Sequence, residues 1–327
     1  MTDSISTPGP DELGAGDNIV LTFQLEGLSV RGRYVRLGET MDKMLSAHDY
    51  PRSVARLVGE CALVAILIGD SLKFDGRLIV QASGPGSQGQ NIEGNGAVSF
   101  VVADFVPGEG VRAYAKFDPD RVQALEAQAD GPLGPIDLLG KGHFVMTIDP
   151  GEGMERYQGV TAIEGDTLAA SAEHYFAQSE QVPTRLRLAI GQQVLDGGET
   201  VWRAGGALIQ KLAGDDSRPS DAEDFEHVLA LFNTVEDAEL IDPDLTAGRV
   251  LYRLFHEDGV RVQAEREVKR YCTCGRARLA QLLARFPADD REHMAKEDGS
   301  IEMTCEYCKS EWRFTAEEID ASAKAND

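Results

Sequence analysis

Short apolar segments bounded by glycine, proline and acidic residues dominate the first 213 residues. Segments in which β-branched and aromatic residues partly alternate with polar ones are typical of β-strands. On this basis residues 19–37 predict two short strands. Further strands are predicted over 74–82, 97–106, 111–117, 143–149 and 161–165. This part of the chain is completed by two more apolar segments, 185–193 and 204–212.

Helical spacing occurs in two of the intervening segments. Pro51 stands where the first residue of a helix is favoured. Apolar residues then recur at helical intervals, at Val54, Val58, Cys61, Ala65 and Ile68. Cys61 therefore falls on the predicted buried face, where a free thiol packs as a small apolar side chain.

The second helix is predicted to follow a cap at Asp166 or Thr167 and to end at Pro183. Its inward residues are predicted to be Leu168, Ala172, Tyr175 and Phe176. Strands thus come in runs with helices between them, rather than in the strict alternation of a doubly wound parallel sheet. The order predicts an α+β fold: a mixed α/β N-terminal domain with a large β-sheet over 19–213, preceded by a short disordered leader, residues 1–18.

The composition changes at residue 214. Residues 215–244 contain eleven acidic side chains and one basic one, Arg218. Two short amphipathic stretches lie in this region and could form helices on a neighbouring domain. Their apolar residues are Phe225, Val228, Leu229 and Phe232, then Leu245, Val250, Leu251, Leu254 and Phe255. Because like charges at this density oppose compaction, residues 214–270 are predicted to form a metastable helical linker.

The net charge excludes some classes of partner. The 327 residues include 55 acidic and 32 basic ones, a formal charge of -23. Such a surface repels phosphate backbones and anionic lipid, so neither nucleic acid nor a membrane is expected as a partner. No apolar run approaches the roughly 18 residues of a transmembrane helix. The N-terminal residues lack the basic stretch and apolar core of a secretory signal, and the sequence predicts a cytoplasmic protein with reduced thiols.

The cysteines are the most informative residues. Cys61 stands alone, whereas Cys272-Thr-Cys274 and Cys305-Glu-Tyr-Cys308 form two close pairs separated by thirty residues. Zinc prefers four such soft ligands in a tetrahedron, and two pairs brought together by a fold supply them. The intervening segment has room for a helix with one apolar face, Leu279, Leu282, Leu283 and Phe286, and then for a second, polar helix. Short strands are predicted on either side of the second pair, which completes a zinc-binding domain over 271–327.

Two other classes of function remain open at this point. The CxxC of Cys305 and Cys308 also occurs in thiol–disulfide enzymes, although a thioredoxin-like motif lies between a strand and a long helix and lacks a second cysteine pair. A zinc-ribbon regulator or RNA-binding module is the alternative for the whole C-terminal domain. Residues 266–327 contain 11 bases and 13 acids, which disfavours phosphate contact there. The glycines of residues 84–89 match a dinucleotide fingerprint, but Pro85 intrudes and no helix follows, so no dinucleotide cofactor is predicted there.

Several segments together resemble the 33 kDa heat shock protein family of redox-regulated holdase chaperones. The similarity is carried by CTCGRARL at 272–279, EDGSIEMTCEYC at 297–308, HDYP at 48–51, LKFDGRLIVQ at 72–81, GDTLAASAEHYFAQSEQVPT at 165–184, AGGALIQ at 204–210 and LYRLFHEDGV at 251–260. It spans roughly residues 26 to 318. The chain departs from the family in Ser83-Gly84-Pro85-Gly86 after the third strand, in its N-terminal leader and in Cys61. None of these departures involves the paired cysteines.

The resemblance implies a switch and no enzymatic activity. Reduced Cys272, Cys274, Cys305 and Cys308 would hold one Zn²⁺ and the protein would be inactive. Oxidation would form two disulfides, Cys272–Cys274 and Cys305–Cys308, release zinc and unfold the linker. The surface thereby exposed would bind unfolding client proteins without ATP and prevent their aggregation during oxidative stress. The family also implies a reduced monomer and an oxidised dimer.

Overall fold

The computed structural model describes residues 9–71, 76–85, 96–151, 153–213 and 222–324. The chain divides into two compact units, Met1–Arg270 and Tyr271–Asp327. The strands of the first unit are β1 (Ile19–Leu25), β2 (Val30–Leu37), β3 (Arg77–Ser83), β4 (Val98–Val106), β5 (Gly110–Phe117), β6 (His143–Asp149), β7 (Tyr157–Ala162), β8 (Thr184–Val194), β9 (Thr200–Lys211) and β10 (Val260–Glu267). Its helices are α1 (Glu39–Leu45), α2 (Arg52–Gly69), α3 (Pro119–Gln128), α4 (Pro135–Leu139), α5 (Leu168–Tyr175), α6 (Ala222–Phe232), α7 (Asp237–Ile241) and α8 (Ala247–Phe255).

Two antiparallel five-stranded sheets frame the first unit. Their strand orders are β10-β1-β2-β9-β8 and β5-β4-β3-β6-β7. Helix α2 packs against strands of both sheets, and all of its residues except Arg52 and Arg56 are buried. The helix is therefore buried around its whole circumference, not along the single stripe that its spacing predicted. The α+β class with a large β-sheet is confirmed. Within the described part of the chain, no helix is both long and apolar enough to cross a bilayer.

Local signals set the ends of β7 and α5. The strand predicted over 161–165 starts earlier and ends at Ala162. Gly165 then adopts a positive φ of 71°, and Thr167, rather than Asp166, caps α5 by accepting a hydrogen bond from the Ala170 amide. A π-helical turn, Phe176–Glu180, follows α5 directly, so the helical segment ends before Pro183.

A second core lies on the other face of the first sheet. Alternate residues of β1, β2 and β9 point away from α2 and pack against α6, α7 and α8. The sheet residues of this core include Ile19, Leu21, Phe23, Leu25, Val30, Tyr34, Ala207 and Ile209. The helical residues include Phe225, Val228, Phe232, Leu240, Val250, Leu251, Leu254 and Phe255. The acidic segment thus covers an apolar sheet face that would otherwise be exposed to water.

The segment predicted as a helical linker, 214–270, is not entirely helical. Residues 260–267 form β10, which pairs antiparallel with β1 and forms an edge of the first sheet. In β10 the half-buried residues Val260, Val262 and Ala264 alternate with exposed polar ones. This repeat of two residues is that of a strand, whereas a helix repeats every 3.6 residues. Residues 214–221 lie outside the described part of the chain.

The leader predicted to be disordered over 1–18 makes specific contacts where the structure describes it, from residue 9 onward. Asp17 accepts two hydrogen bonds from Arg203, at 2.8 and 2.6 Å. The side-chain oxygen of Asn18 accepts hydrogen bonds from the backbone at the start of α1. These long-range partners lie in β9 and α1, so the polar composition of the leader alone did not reveal them.

The second unit is small. Its elements are α9 (Arg276–Ala284), α10 (Ala288–Met294), β11 (Ile301–Thr304), β12 (Glu311–Phe314) and α11 (Ala316–Lys324). The two predicted strands pair antiparallel, and the two predicted helices are present. The predicted apolar face of α9 is only partly correct, because Leu282 and Phe286 are 43% and 39% exposed. The buried residues of this unit are Ala280, Leu283, Ile301, Phe314 and Ile319.

Glu60, on the buried helix α2, makes the stability of the first unit depend on pH. Its carboxylate accepts a 2.8 Å hydrogen bond from the Leu168 amide at the start of α5. Burial dominates over this hydrogen bond and raises the pKa of Glu60 from 4.5 to about 7. The folded state therefore binds a proton that the unfolded state has already lost between these two pH values. The contribution of Glu60 to stability is therefore largest below pH 4.5 and falls by about 3 kcal/mol as pH rises through 7.

We expect Glu60→Gln to remove most of this pH dependence, because the amide stays neutral and its oxygen can still accept from Leu168. The measurement is the urea midpoint of both proteins at about pH 5 and pH 8. The variant should match the parent at the lower pH and exceed it at the higher one. If the urea midpoints of the two proteins changed equally with pH, ionisation of Glu60 would not destabilise the folded state.

Candidate metal centre

Two turns present the four paired cysteines of the second unit. Cys272 and Cys274 lie immediately before α9, whose N-cap is Gly275. Cys305 and Cys308 lie in the turn that joins β11 to β12. The pairing of these two short strands closes that turn, and its two sulfur atoms lie within 4.8 Å of each other.

The second turn is shaped by its backbone. The Lys309 amide donates to the Cys305 carbonyl at 2.8 Å, and the Cys305 amide donates to the Ser310 carbonyl at 2.9 Å. Lys309 has a positive φ of 55°, a conformation that a non-glycine residue adopts only where the surrounding contacts require it. The turn therefore holds Cys305 and Cys308 in one arrangement.

The four thiols converge on one point. Their sulfur atoms all lie within 4.8 Å of one another. The distance from Cys274 Sγ to Cys308 Sγ is 3.3 Å, and that from Cys272 Sγ to Cys305 Sγ is 3.6 Å. A tetrahedral zinc with bonds of about 2.3 Å places its ligand sulfurs about 3.8 Å apart. Both the geometry and the all-sulfur donor set therefore fit a closed structural zinc site.

The surroundings shift the pKa values of these thiols in different directions. Burial acts to raise the pKa of Cys308, but hydrogen bonds from Ser310 and from the neighbouring thiols outweigh it and lower that pKa to about 6. Burial raises the pKa of Cys274, and the adjacent thiols add to the effect. Burial also raises the pKa of Cys305. Its lowered pKa favours the thiolate form of Cys308, which binds metal and reacts with oxidants.

Comparison with known proteins decides the family. The family model described as Hsp33 protein matches residues 18–315 of the chain. The chain belongs to the Hsp33 family. The resemblance inferred from the cysteine motifs and the upstream segments is therefore confirmed. The match begins at residue 18, so most of the leader lies outside it.

Relatives within the Hsp33 family cover nearly the whole chain. A 33 kDa chaperonin from Caulobacter vibrioides is 49% identical over 297 residues, 91% of this chain and 94% of the relative. Those from Serratia proteamaculans and Escherichia coli are 38% and 35% identical, over 93% and 91% of this chain and 94% and 92% of the relatives. The crystal structure of a 33 kDa chaperonin from Thermotoga maritima superposes with a TM-score of 0.74, covering 95% of this chain and 99% of that one. At 21% identity this last similarity supports the fold alone.

Cys61 is not among the sulfurs of this centre. Cys61 is fully buried in α2, as expected for a core thiol, and donates to the Val80 carbonyl at 3.4 Å. The glycines of the fingerprint-like segment beyond Pro85 fall in residues 86–95, outside the described part of the chain.

Two features of the centre were not predicted from the sequence, the contact of Ser310 and the backbone conformation of Lys309. Ser310 lies 3.3 Å from Cys308 Sγ, and Lys309 supplies the positive φ that closes the turn. A serine two residues after a cysteine carries no distinctive signal. Its role depends on the turn that β11 and β12 close.

Proposed function

We propose that this chain is a redox-regulated, ATP-independent holdase chaperone that is inactive when its paired cysteines are reduced. The observation that carries the proposal is the combination of four converging thiols in one unit with an apolar sheet face covered by a separate acidic segment in the other. Membership of a family whose relatives are named 33 kDa chaperonins supports it. Unfolding client proteins are the partners, and no chemical transformation of a substrate is assigned to the chain.

The proposed ligands of zinc are Cys272, Cys274, Cys305 and Cys308. When bound, zinc would cross-link the two cysteine turns and contribute on the order of 10–16 kcal/mol to folding. The second unit depends on such a cross-link because its core consists of a few side chains around Leu283 and Phe314. We assign residues 19–213 to substrate binding, 214–270 to the linker and 271–327 to the redox switch.

The proposed switch is the oxidation of the thiols to two local disulfides, Cys272–Cys274 and Cys305–Cys308. Each disulfide forms as two thiols transfer two electrons and two protons to peroxide, which is reduced to water. In the reduced centre all four sulfurs lie within 4.8 Å of one another, and two close approaches join one pair to the other, so proximity there does not select local partners. Once the centre opens, local pairs close the shortest loops at the lowest entropic cost. Because a CxC bridge requires a tight turn, Cys272–Cys274 should form after Cys305–Cys308.

Unfolding of the second unit, which follows the linker directly in the chain, would free the linker from the first sheet. The linker contributes mainly short helices to the second core, and its acidic side chains repel one another. Its release would expose Phe23, Leu25 and Tyr34 on the sheet together with Phe232 and Phe255 on the linker. A contiguous apolar surface of this kind binds unfolded segments without sequence specificity. We also propose self-association to a dimer through this surface after oxidation.

The high negative charge fits this function, since it keeps a chain with exposed apolar surface dispersed and disfavours nucleic acid as a partner. We place the protein in the cytoplasm, where the thiols are reduced until oxidative stress occurs.

The test is to oxidise the protein with peroxide at raised temperature and to measure suppression of client aggregation, with the disulfides mapped by mass spectrometry in the same sample. Oxidised protein should suppress aggregation without ATP, and reduced protein should not. Hydrogen exchange should show residues 222–267 losing protection while β3, β4 and β5 retain theirs. Equal suppression by both redox forms, or bridges from Cys272 or Cys274 to Cys305, Cys308 or Cys61, would contradict this account of the switch.

A further inference from the structure

We infer that residues 10–18, here called the N-terminal strap, hold helix α8 of the linker on the first sheet and so oppose its release. The contacts between the strap and α8 are present in the reduced protein and do not depend on the proposed function. Only their effect on chaperone activation rests on it. Most of the strap precedes residue 18, where the family match begins. The structure therefore assigns this chain a restraint on its linker outside the matched part of the family.

The strap satisfies the first amides of α8. The first N–H groups of a helix have no partner within it, and they require acceptors from elsewhere. The Ala247 amide donates to the Gly14 carbonyl at 3.3 Å, and the Gly248 amide donates to the Leu13 carbonyl at 3.0 Å. The Thr246 side chain, which caps α8, contacts the strap as well.

Side chains reinforce this attachment. The Thr246 hydroxyl donates to the Pro10 carbonyl at 2.8 Å. One turn into α8, the Arg249 guanidinium donates to the Asp11 carboxylate. Four successive residues of the linker, from 246 to 249, therefore each contact the strap. A helix of nine residues is marginal without such external partners.

The other half of the strap is anchored to the body of the first unit. The side chain of Arg36, on β2, is fully buried and donates to the Gly14 carbonyl at 2.8 Å and to the Gly16 carbonyl at 3.2 Å. The same guanidinium donates to the carbonyls of Asp242 and Leu245 in the linker. A single buried arginine thus joins the sheet, the strap and the linker.

The end of the strap is fixed by an ion pair and by backbone contacts. Asp17 is bound by Arg203 of β9, and the Asn18 carbonyl accepts a 2.7 Å hydrogen bond from the Val268 amide. Because this end is held by the sheet, the contacts of residues 10–14 transmit that support to α8. Removing only the early residues should therefore free the helix without loosening the anchor.

Close packing at Gly248 provides a second way to displace the strap. A Cβ at this position would lie 2.8 Å from Leu13 Cβ and 2.9 Å from the Leu13 carbonyl oxygen, closer than atoms at such sites approach. Alanine is also a better helix former than glycine. Gly248→Ala should therefore displace the strap while favouring α8 itself, so a looser linker in this variant could not be attributed to weaker helix propensity.

The experiment measures hydrogen exchange of the α8 amides in the reduced full-length protein and in four variants. Deletion of residues 2–13 removes Pro10, Asp11 and Leu13 but keeps the carbonyls that Arg36 requires. Deletion of residues 2–8 is its control, since it leaves every contact named above in place. Gly248→Ala is the second test. Glu12→Gln is a charge control, because the Glu12 carboxylate accepts from the nearby Gly9 amide and makes none of the contacts with α8 named above. Exchange in β3 and β4 reports whether each variant has folded.

Deletion of residues 2–13 and Gly248→Ala should each accelerate exchange in α8 by about tenfold or more, since several hydrogen bonds are lost together. Deletion of residues 2–8 and Glu12→Gln should leave it unchanged. Equal α8 exchange in the two deletions would overturn the inference. A further outcome is that the two deletions differ in α8 exchange as expected while no variant suppresses client aggregation after oxidation. In that case the role of the strap is supported and the proposed function fails.

Discussion

Replacing any one of Cys272, Cys274, Cys305 and Cys308 by serine should lower the zinc affinity of the reduced protein by more than about 100-fold, since losing even an outer-shell partner of a zinc site costs about 10–100-fold. The four sulfur atoms form one closed centre, and a hydroxyl does not replace a thiolate as a soft ligand. The parent protein should bind one zinc ion per chain. The measurement is zinc content and competition with a chromogenic chelator under reducing conditions.

Cys61→Ser is the matched control for these four variants. This thiol is buried in α2 and is not among the sulfurs of the centre, so its replacement should leave the zinc content at the parental value. The ligand assignment would be wrong if Cys61→Ser lowered the zinc content and Cys305→Ser did not. Loss of zinc should also unfold the second unit, whose small core contains few large apolar side chains.

Phe255→Ala should loosen the linker in the reduced protein, without any oxidation. The Phe255 side chain is 1% exposed, and its ring lies 5.9 Å from that of Phe23 in a stacked arrangement. Truncating a buried phenylalanine costs about 3–5 kcal/mol, which is large for a segment of short helices that is attached to one sheet face. We expect faster exchange across α6 and α8 and suppression of client aggregation before peroxide is added.

Tyr252→Ala provides the comparison within the same helix. Tyr252 is 53% exposed, so its truncation removes an aromatic ring of similar size without opening the second core. It should leave linker exchange and the redox dependence of aggregation suppression close to those of the parent protein. Equal behaviour of the two alanine variants would mean that the second core does not hold the linker.

The cysteine centre could be predicted from the sequence because its information is local. The short spacings within each pair restrict those thiols to single turns, and thiolates have few roles that require four of them together. The predicted strands on either side of Cys305 and Cys308 are those that the structure contains. Ser310 was not foreseen because its contact with Cys308 exists only after these strands pair.

Local patterns were less reliable where burial came from more than one side. The spacing in α2 predicted a single buried stripe, whereas the helix is buried around its circumference by two sheets. Leu282 in α9 and Phe286 just after it follow the helical spacing but remain exposed, since the small unit has too little surface to cover them. The spacing of apolar residues therefore identified the helices, but it did not specify on how many sides each helix would be covered.

By itself, the sequence determined the α+β class, the four-cysteine centre, the abrupt change to an acidic segment and the resemblance to a chaperone family. These features depend on composition and on residues close together in the chain. Only the tertiary structure decided that the acidic segment covers one face of the first sheet, that residues 260–267 extend this sheet and that residues 10–18 hold α8. The contacts of β10 with β1 and of residues 10–14 with α8 join residues more than 200 positions apart. A local pattern records that a side chain is buried but not which distant segment covers it.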